Sequence, residues 1–285
     1  MKSDGLGRLT LNVHFDAQPP VPLSAAYREA GSGPTLLMLH GFLGTGLCWM
    51  PLIEKLQTDF RCVSLDLLGF GESPKPMIRY DVAKEVAFVR AFIQTLKLEP
   101  CAILGHSFGG WVAAAYALAY PESVNSLVLA AAAGIRDDSF CGRYDHLRPL
   151  LWETPIIDWG LGLAKSVAGL LGQASTLQTI AHFRQELIAN PAACSFLRDR
   201  IRPEDAIDTV EKAIHQLQMP VLVITGDRDE TIPLWHSETY AREIPNAQLE
   251  IIPGADHALP QNHASELASL ILRFFHSHLQ LDVAY

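Results

Sequence analysis

A serine at position 107 lies at the centre of the pentapeptide GHSFG, which spans 105–109. An apolar run at 102–104, typical of a strand, precedes it, and an apolar run at 108–120, typical of a helix, follows it. The nucleophile of a GxSxG elbow lies on such a strained strand-to-helix turn, where the glycines remove side chains that would clash. The start of the helix also directs backbone N–H groups at developing negative charge. The placement predicts that Ser107 is a nucleophile; the alternative is a tight turn that happens to contain serine.

One of the eleven histidines is placed to act as the base for this serine. His257 lies in a loop between an apolar run at 249–252 and a helical pattern at 263–278. It completes the chain order serine, acid, histidine that accompanies this kind of elbow. His263 is the nearest alternative, but it opens the helical pattern, where it would cap the helix or face solvent. We therefore predict that His257 is the base.

Two aspartates compete for the place of the acid, because both follow the apolar run at 221–225. A carboxylate just past the C-terminal end of a strand can reach the active face and orient a histidine. Asp227 is next to the strand and could bond Arg228 or cap the turn. Asp229 lies further into the loop, where its side chain can turn back towards the site. We favour Asp229; a purely structural role for both, in Asx turns, is the alternative.

The segment HGFLG at 40–44 follows another apolar run and could form half of an oxyanion hole. Such a hole needs one backbone N–H beside the nucleophile and a second from a neighbouring loop. The candidates are the amides of Phe42 and Phe108, although Leu43 or Gly44 could change which amide points inward. A structural glycine turn is the alternative for this segment. His40 is expected to be a hydrogen-bonding support rather than the base.

No motif indicates a cofactor or a metal ion. The glycine-rich segment DLLGFGES at 66–73 lacks GxxxxGK[ST] and does not open a helix as GxGxxG, so it is not a phosphate cradle. We interpret it as a shaped loop at the rim of a pocket. The chain also lacks HExxH and clustered Cys/His ligands. The sequence therefore predicts chemistry by side chains alone.

Short apolar runs that end in turns alternate with helical patterns along the chain. The runs are at 36–39, 62–65, 102–104, 126–129, 221–225 and 249–252, and the helical patterns are at 81–96, 108–120, 234–243 and 263–278. Runs that are apolar throughout are typical of strands covered on both faces, and this alternation indicates a mostly parallel sheet. Segments 9–15 and 23–28 alternate more strictly, which predicts an antiparallel edge.

The segment 135–217 interrupts this alternation, because it has helical patterning and no convincing strand. An insertion of about 80 residues is too long for a loop and predicts a helical subdomain. We therefore predict a core domain of 1–134 and 218–285 and a helical cap, or lid, of 135–217. Its leucines and tryptophans favour an apolar pocket, unless they only pack the cap onto the sheet.

Composition excludes several classes of partner. The formal net charge is −9 and no run of Lys or Arg could hold a nucleic-acid backbone. The polar N-terminus lacks a signal-like apolar region, and no apolar stretch reaches about 18 residues, so we expect neither secretion nor an integral membrane segment. Five cysteines without CxxC spacing indicate reduced thiols. We expect a cytoplasmic protein with a small-molecule substrate; its oligomeric state stays open.

With these motifs on one chain, the sequence resembles the α/β-hydrolase fold superfamily over nearly all of its length. The matching features, in chain order, are the loops at 40–44 and 66–73, the Ser107 elbow, the acid loop at 226–233 and the His257 loop. The resemblance implies an eight-stranded sheet with one antiparallel strand inside it. It also implies a helical cap inserted after the sixth strand, which is where 135–217 falls.

The resemblance narrows the chemistry without naming a substrate. Haloalkane dehalogenases and epoxide hydrolases of this fold use an aspartate nucleophile, so Ser107 excludes them. The segment 40–44 followed by Trp49 loosely resembles the menaquinone-pathway C–C lyase branch, whereas GHSFGG at 105–110 also suits esterases and cofactor-free haloperoxidase-like members. Three hypotheses result: ester, thioester or lactone hydrolysis; C–C cleavage, elimination or perhydrolysis by the same triad; and ligand binding without catalysis.

Overall fold

The computed structural model describes residues 5–16, 19–137, 154–168, 174–199 and 208–278, and an eight-stranded sheet forms its core. The strands are β1 (Leu6–Val13), β2 (Val21–Ala30), β3 (Thr35–Leu39), β4 (Arg61–Leu65), β5 (Cys101–His106), β6 (Val124–Ala130), β7 (Val221–Gly226) and β8 (Ala247–Ile252). Their order across the sheet is β1-β2-β4-β3-β5-β6-β7-β8. From β4 to β8 in this order every neighbouring pair is parallel, and β2 pairs antiparallel with both β1 and β4. The predicted sheet is confirmed.

The central strands are buried along their whole length. Every residue of β5 and of β7 is buried, because helices cover the sheet on both sides. This is the reason that these strands are apolar throughout rather than alternating. At the N-terminal edge, β1 and β2 pair antiparallel, with Leu6 opposite Arg28 and Val13 opposite Val21. The antiparallel edge is confirmed, but β1 begins and ends earlier than the predicted 9–15.

Helices of the described chain connect these strands. They are α1 (Met50–Leu56), α2 (Val82–Leu96), α3 (Phe108–Ala119), α4 (Pro155–Ala168), α5 (Ala174–Ala189), α6 (Pro191–Asp199), α7 (Leu234–Glu243), α8 (Leu259–Asn262) and α9 (Ala264–His278). The Asp81 side chain caps α2 by accepting from the Lys84 amide at 2.8 Å. The sequence pattern does not predict α1 or α8, since helices of seven and four residues carry little periodicity.

The loops that carry the predicted site residues leave the same edge of the sheet. His40 follows β3, Ser107 follows β5, Asp229 follows β7 and His257 follows β8. Parallel strands have their carboxyl ends at one edge, so a site built from these loops needs no distant segment of the chain.

The chain divides into two compact units. The first contains Met1–Pro74, Asp81–Arg136 and Asp208–Tyr285, and the second contains Lys75–Tyr80 and Asp137–Ile207. All eight strands belong to the first unit.

The regular structure of the second unit, in the part that the structure describes, is helical. Arg184 of α5 is buried and forms a two-pronged ion pair with Asp158 of α4, at 2.8 and 3.1 Å. The Ser195 hydroxyl accepts from the Tyr80 amide at 2.9 Å. Of the predicted insertion at 135–217, residues 135–136 and 208–217 fall in the first unit, and its role as a cap stays a prediction.

None of the helices in the described ranges has the length and apolar character needed to cross a membrane.

Four cysteines of the described chain are free thiols: Cys48, Cys62, Cys101 and Cys194. Burial raises the pKa of Cys62 to about 12. Cys141 lies outside the described residues.

Candidate active site

Ser107 lies on a sharp turn between β5 and α3. Its backbone has φ 53° and ψ −117°, a positive φ that residues with a side chain rarely adopt. The Ser107 amide donates to the Ala130 carbonyl at 3.0 Å, and the Ser107 carbonyl accepts from the Ala133 amide at 3.0 Å. These two bonds to the end of β6 and the residues after it hold the strained turn in place.

The glycines around Ser107 are required by close approach of the backbone. A Cβ atom on Gly105 would collide with the Gly109 carbonyl oxygen, and one on Gly109 would collide with the Leu39 carbonyl oxygen. Helix α3 can therefore start directly against β3 and β5 only if both positions lack a side chain. This is the physical reason for the GxSxG pattern in this chain.

The structure brings Ser107, His257 and Asp229 into one hydrogen-bonded chain. The Ser107 hydroxyl donates to His257 Nε2 at 3.0 Å, and His257 Nδ1–H donates to Asp229 Oδ2 at 2.7 Å. The His257 side chain is 24% exposed, whereas that of Asp229 is fully buried. An imidazole held in this way can take the hydroxyl proton while the carboxylate stabilises the resulting imidazolium. The arrangement can therefore generate an oxygen nucleophile.

The two competing aspartates have different partners. Asp229 Oδ1 also accepts from the amides of Thr231 and Ile232, each at 2.8 Å. Burial acts to raise the pKa of Asp229, but its hydrogen bonds with His257 and these amides prevail and lower the pKa. Asp227 is exposed, and its Oδ1 accepts from the Gly254 amide at 2.6 Å, which links the acid loop to the histidine loop.

His106, which no motif singled out, contacts the His257 loop directly. Its Nε2–H donates to the His257 carbonyl at 2.8 Å, and the two rings are 4.9 Å apart. Burial, reinforced by the nearby His257, lowers the pKa of His106 to about 4, so the ring is neutral near pH 7. The sequence pattern leaves position 106 unspecified, and only the structure reveals this contact.

His263, the alternative base, lies between α8 and α9, where its carbonyl accepts from the Leu267 amide at 2.9 Å.

The segment at 40–44 lies beside the serine. A Cβ on Gly41 would be 3.2 Å from Ser107 Cβ and 3.1 Å from His106 Nδ1. The turn closes with a hydrogen bond from the Gly44 amide to the Gly41 carbonyl at 2.9 Å, and Leu43 has a φ of 57°. Phe42 follows Gly41 directly, and Phe108 is the first residue of α3. Both predicted oxyanion residues thus adjoin Ser107, and the roles of their amides stay predictions.

His40 is fully buried and both of its ring nitrogens are used. Nδ1–H donates to the Gly41 carbonyl at 2.8 Å, and Nε2 accepts from the Leu67 amide at 3.0 Å. Burial lowers the pKa of His40, which favours this neutral ring. His40 therefore supports the loop, as expected, and is not available as a base.

The loop at 66–73 is braced by buried side chains. Asp66 accepts from the amides of Gly46 at 2.5 Å and Glu72 at 2.8 Å. The Phe70 ring lies 5.6 Å from the Phe42 ring and 6.0 Å from the Phe108 ring. The loop thus packs against both predicted oxyanion residues.

Within the described ranges, no group of three or more His, Cys, Asp or Glu side chains is arranged to hold a metal ion.

Known proteins are similar to this chain in sequence and in fold. A family model described as the alpha/beta hydrolase fold matches residues 34–172. The 2-hydroxymuconate semialdehyde hydrolase of Pseudomonas sp. (strain CF600) is 30% identical over 254 residues, which cover 85% of this chain and 87% of the relative. The monoacylglycerol lipase ABHD6 of Homo sapiens is 27% identical over 262 residues, which cover 87% of this chain and 77% of the relative.

Among solved structures, one described as a membrane phospholipase A, a novel bacterial virulence factor, superposes with a TM-score of 0.72. It is 26% identical, and the match covers 97% of this chain and 87% of that chain.

Proposed function

The chain belongs to the alpha/beta hydrolase fold family, and from this premise we propose that it is a serine hydrolase. Its proposed substrate is an ester, thioester or lactone of a fairly apolar small molecule. The observation that supports the proposal most is the hydrogen-bonded chain from Ser107 through His257 to Asp229, with distances of 3.0 and 2.7 Å.

In the proposed reaction, Ser107 Oγ attacks the carbonyl carbon of the substrate while His257 Nε2 takes the hydroxyl proton. Asp229 keeps the other ring nitrogen of His257 protonated and stabilises the imidazolium. The carbonyl oxygen becomes an oxyanion, which the amides of Phe42 and Phe108 stabilise. His257 then gives its proton to the leaving oxygen or sulfur atom, and an acyl group stays on Ser107. Water, deprotonated by His257, attacks this acyl group; the bond between the acyl carbon and Ser107 Oγ breaks, the acid leaves, and His257 returns the proton to Ser107 Oγ.

Two lines of support favour an apolar substrate. The names of two similar proteins, a monoacylglycerol lipase and a membrane phospholipase A, refer to lipid substrates. The formal net charge of −9 disfavours substrates with several negative charges. We therefore expect an uncharged ester with a medium-length acyl group to be a better substrate than a charged ester.

A second candidate function is C–C bond cleavage by the same three residues. It is favoured by the 30% identity to a 2-hydroxymuconate semialdehyde hydrolase, which aligns over 87% of its length. The compound in the name of this relative, 2-hydroxymuconate semialdehyde, is not an ester, so the two candidates differ in the bond that breaks. The nucleophile, base and acid are common to both.

The deciding experiment compares wild type with Ser107→Ala on two sets of substrates. These are p-nitrophenyl esters of increasing acyl length and 2-hydroxymuconate semialdehyde. We expect ester turnover by wild type and a loss of at least about 10³-fold in kcat for Ser107→Ala. Turnover of the semialdehyde with little ester hydrolysis would instead favour C–C cleavage.

Ser126→Ala is the matched control, because Ser126 is a buried serine on β6 whose hydroxyl donates to the neighbouring Asn125 carbonyl at 2.8 Å. It should keep wild-type turnover. Equal activity of Ser107→Ala and Ser126→Ala would overturn the proposal, and so would an inactive wild type that a fluorophosphonate does not label.

A further inference from the structure

The backbone carbonyl of His257 receives two hydrogen bonds with different origins. One comes from the Leu259 amide at 2.9 Å, within the same loop. The other comes from His106 Nε2–H at 2.8 Å, on β5. Because Ser107 directly follows His106, this second bond ties the loop of the proposed base to the strand that carries the proposed nucleophile.

The chemistry of this bond determines the state of the His106 ring. A carbonyl oxygen can only accept, so Nε2 must carry a proton. The ring is 6% exposed, and burial together with the nearby His257 lowers its pKa to about 4. His106 is therefore a neutral donor with an unprotonated Nδ1 at neutral pH. The charged or titratable groups that act on it are His257, Asp229 and His40.

The surroundings of His106 leave it little freedom to move. The Trp49 ring, fully buried, approaches it edge-on at 6.3 Å between ring centres. On another side lies Gly41, where an added Cβ would come within 3.1 Å of His106 Nδ1. A ring packed in this way is a rigid support for the carbonyl that it binds.

We propose that His106 is a positioning residue, which holds the His257 imidazole in line with the Ser107 hydroxyl through its hydrogen bond to the His257 carbonyl. The proposal rests on the proposed function of Ser107 and His257. It explains why a neutral donor suits this position: when His257 takes the serine proton it becomes a cation, and its ring is 4.9 Å from that of His106. A positive charge on His106 would oppose that proton transfer.

The test compares His106→Gln, which keeps a neutral N–H donor near the Nε2 position, with His106→Phe, which keeps a planar ring but removes the donor. For His106→Phe we expect kcat on a p-nitrophenyl ester to fall about 10²-fold with KM changed by less than about threefold, because misplaced catalytic groups slow the chemical step. For His106→Gln we expect most of the wild-type kcat to remain.

A second readout does not need turnover. In protein with ¹⁵N-labelled histidine, the proton between His257 Nδ1 and Asp229 should give a downfield NMR signal. We expect this signal to be unchanged in His106→Gln and to shift or broaden in His106→Phe. If wild type proves inactive on every substrate, the proposed function fails, while this comparison still tests the positioning role.

Phe60→Leu is the control for lost stability. Phe60 is fully buried, and its ring centre lies 5.0 Å from that of Phe275. It immediately precedes β4, whereas Ser107 follows β5, so the two residues lie at opposite ends of the parallel strands. Its substitution should lower the free energy of unfolding and leave kcat unchanged. Three results would each overturn the proposal: His106→Phe with wild-type kcat, His106→Gln as slow as His106→Phe, or the same NMR signal in His106→Phe as in wild type.

Discussion

At the scale of single residues, the candidate site depends on hydrogen bonds that distinguish side chains of the same type. Asp229 and Asp227 are two positions apart, yet only Asp229 contacts His257, at 2.7 Å. Asp227 instead binds the Gly254 amide at 2.6 Å. The first carboxylate can orient an imidazole, and the second can only join two loops.

This difference predicts opposite outcomes for one substitution at the two sites. Asp229→Asn should lower kcat about 10⁴-fold, because an amide no longer favours the tautomer in which His257 Nε2 accepts the serine proton. Asp227→Asn should stay close to wild type, since the amide oxygen can still accept from Gly254. Steady-state kinetics on the best ester measures both. A greater loss of kcat in Asp227→Asn would show that the acid has been assigned to the wrong residue.

At the scale of elements, the junction of β5 and α3 sets the position of Ser107, the proposed nucleophile. The helix approaches β3 so closely that Gly109 has no space for a side chain beside the Leu39 carbonyl. The segment at 40–44 continues directly from β3. A displacement of α3 would therefore move Ser107 relative to the proposed oxyanion amides.

Two glycine-to-alanine substitutions in helices should consequently change the free energy of unfolding in opposite directions. Gly109→Ala should destabilise the protein by about 1–3 kcal/mol, because the added methyl group forces backbone apart. Gly160→Ala, in α4, meets no atom within 4 Å and should stabilise by up to about 1 kcal/mol through better helix propensity. Urea unfolding measures both, and tolerance of alanine at position 109 would contradict the close approach described above.

The agreement between predicted and observed elements depends on the kind of sequence pattern. The bounds of the buried strands and of the helices α2, α3, α7 and α9 agree with the predicted ones to within two residues, because their apolar runs and helical patterns end in turns. The start of β1 differs by three residues, since a pattern of period two repeats along the strand, and pairing with β2 sets where it begins.

The residues of the candidate site also differ in how far the sequence predicts them. The sequence predicts that Ser107, Asp229 and His257 lie together, because loops after parallel strands meet at one edge of the sheet; their roles in a reaction stay predictions. His106 was not, because its role depends on a contact between residues 151 positions apart in the chain. Sequence motifs indicate the proposed reacting residues more clearly than they indicate the residues that support them.

At the scale of the whole molecule, one buried carboxyl group should make stability depend on pH. Glu85 of α2 is fully buried; its Oε2 accepts from the Leu68 amide at 3.1 Å, and its Oε1 has no hydrogen-bond partner among the described residues. Burial, with a contribution from Asp81, raises its pKa well above the usual value. The folded state thus keeps a proton that the unfolded state releases. Stability from this group is greatest at acid pH, below the unfolded pKa, and is lost as the pH rises through the folded pKa.

Glu85→Gln removes this ionisation while keeping an acceptor for the Leu68 amide. We expect the variant to gain stability relative to wild type as the pH rises from 4 to 8, by about 1.4 kcal/mol for each unit by which the pKa is raised. Urea unfolding at several pH values measures the difference. The exposed Glu54, substituted in the same way, is the matched control and should show a far smaller dependence on pH. A stability gain for Glu85→Gln that shrinks as the pH rises would contradict the expected sign.

The most direct test of the proposed chemistry is to trap the covalent intermediate. Wild-type protein is mixed with a p-nitrophenyl ester, quenched in acid within its first turnovers and examined by intact-mass and peptide-mapping mass spectrometry. The proposal predicts a mass increase equal to the acyl group, located on Ser107 and missing from Ser107→Ala. Ester turnover with no adduct on wild type, or with the adduct on another residue, would contradict the assignment of Ser107 as the nucleophile.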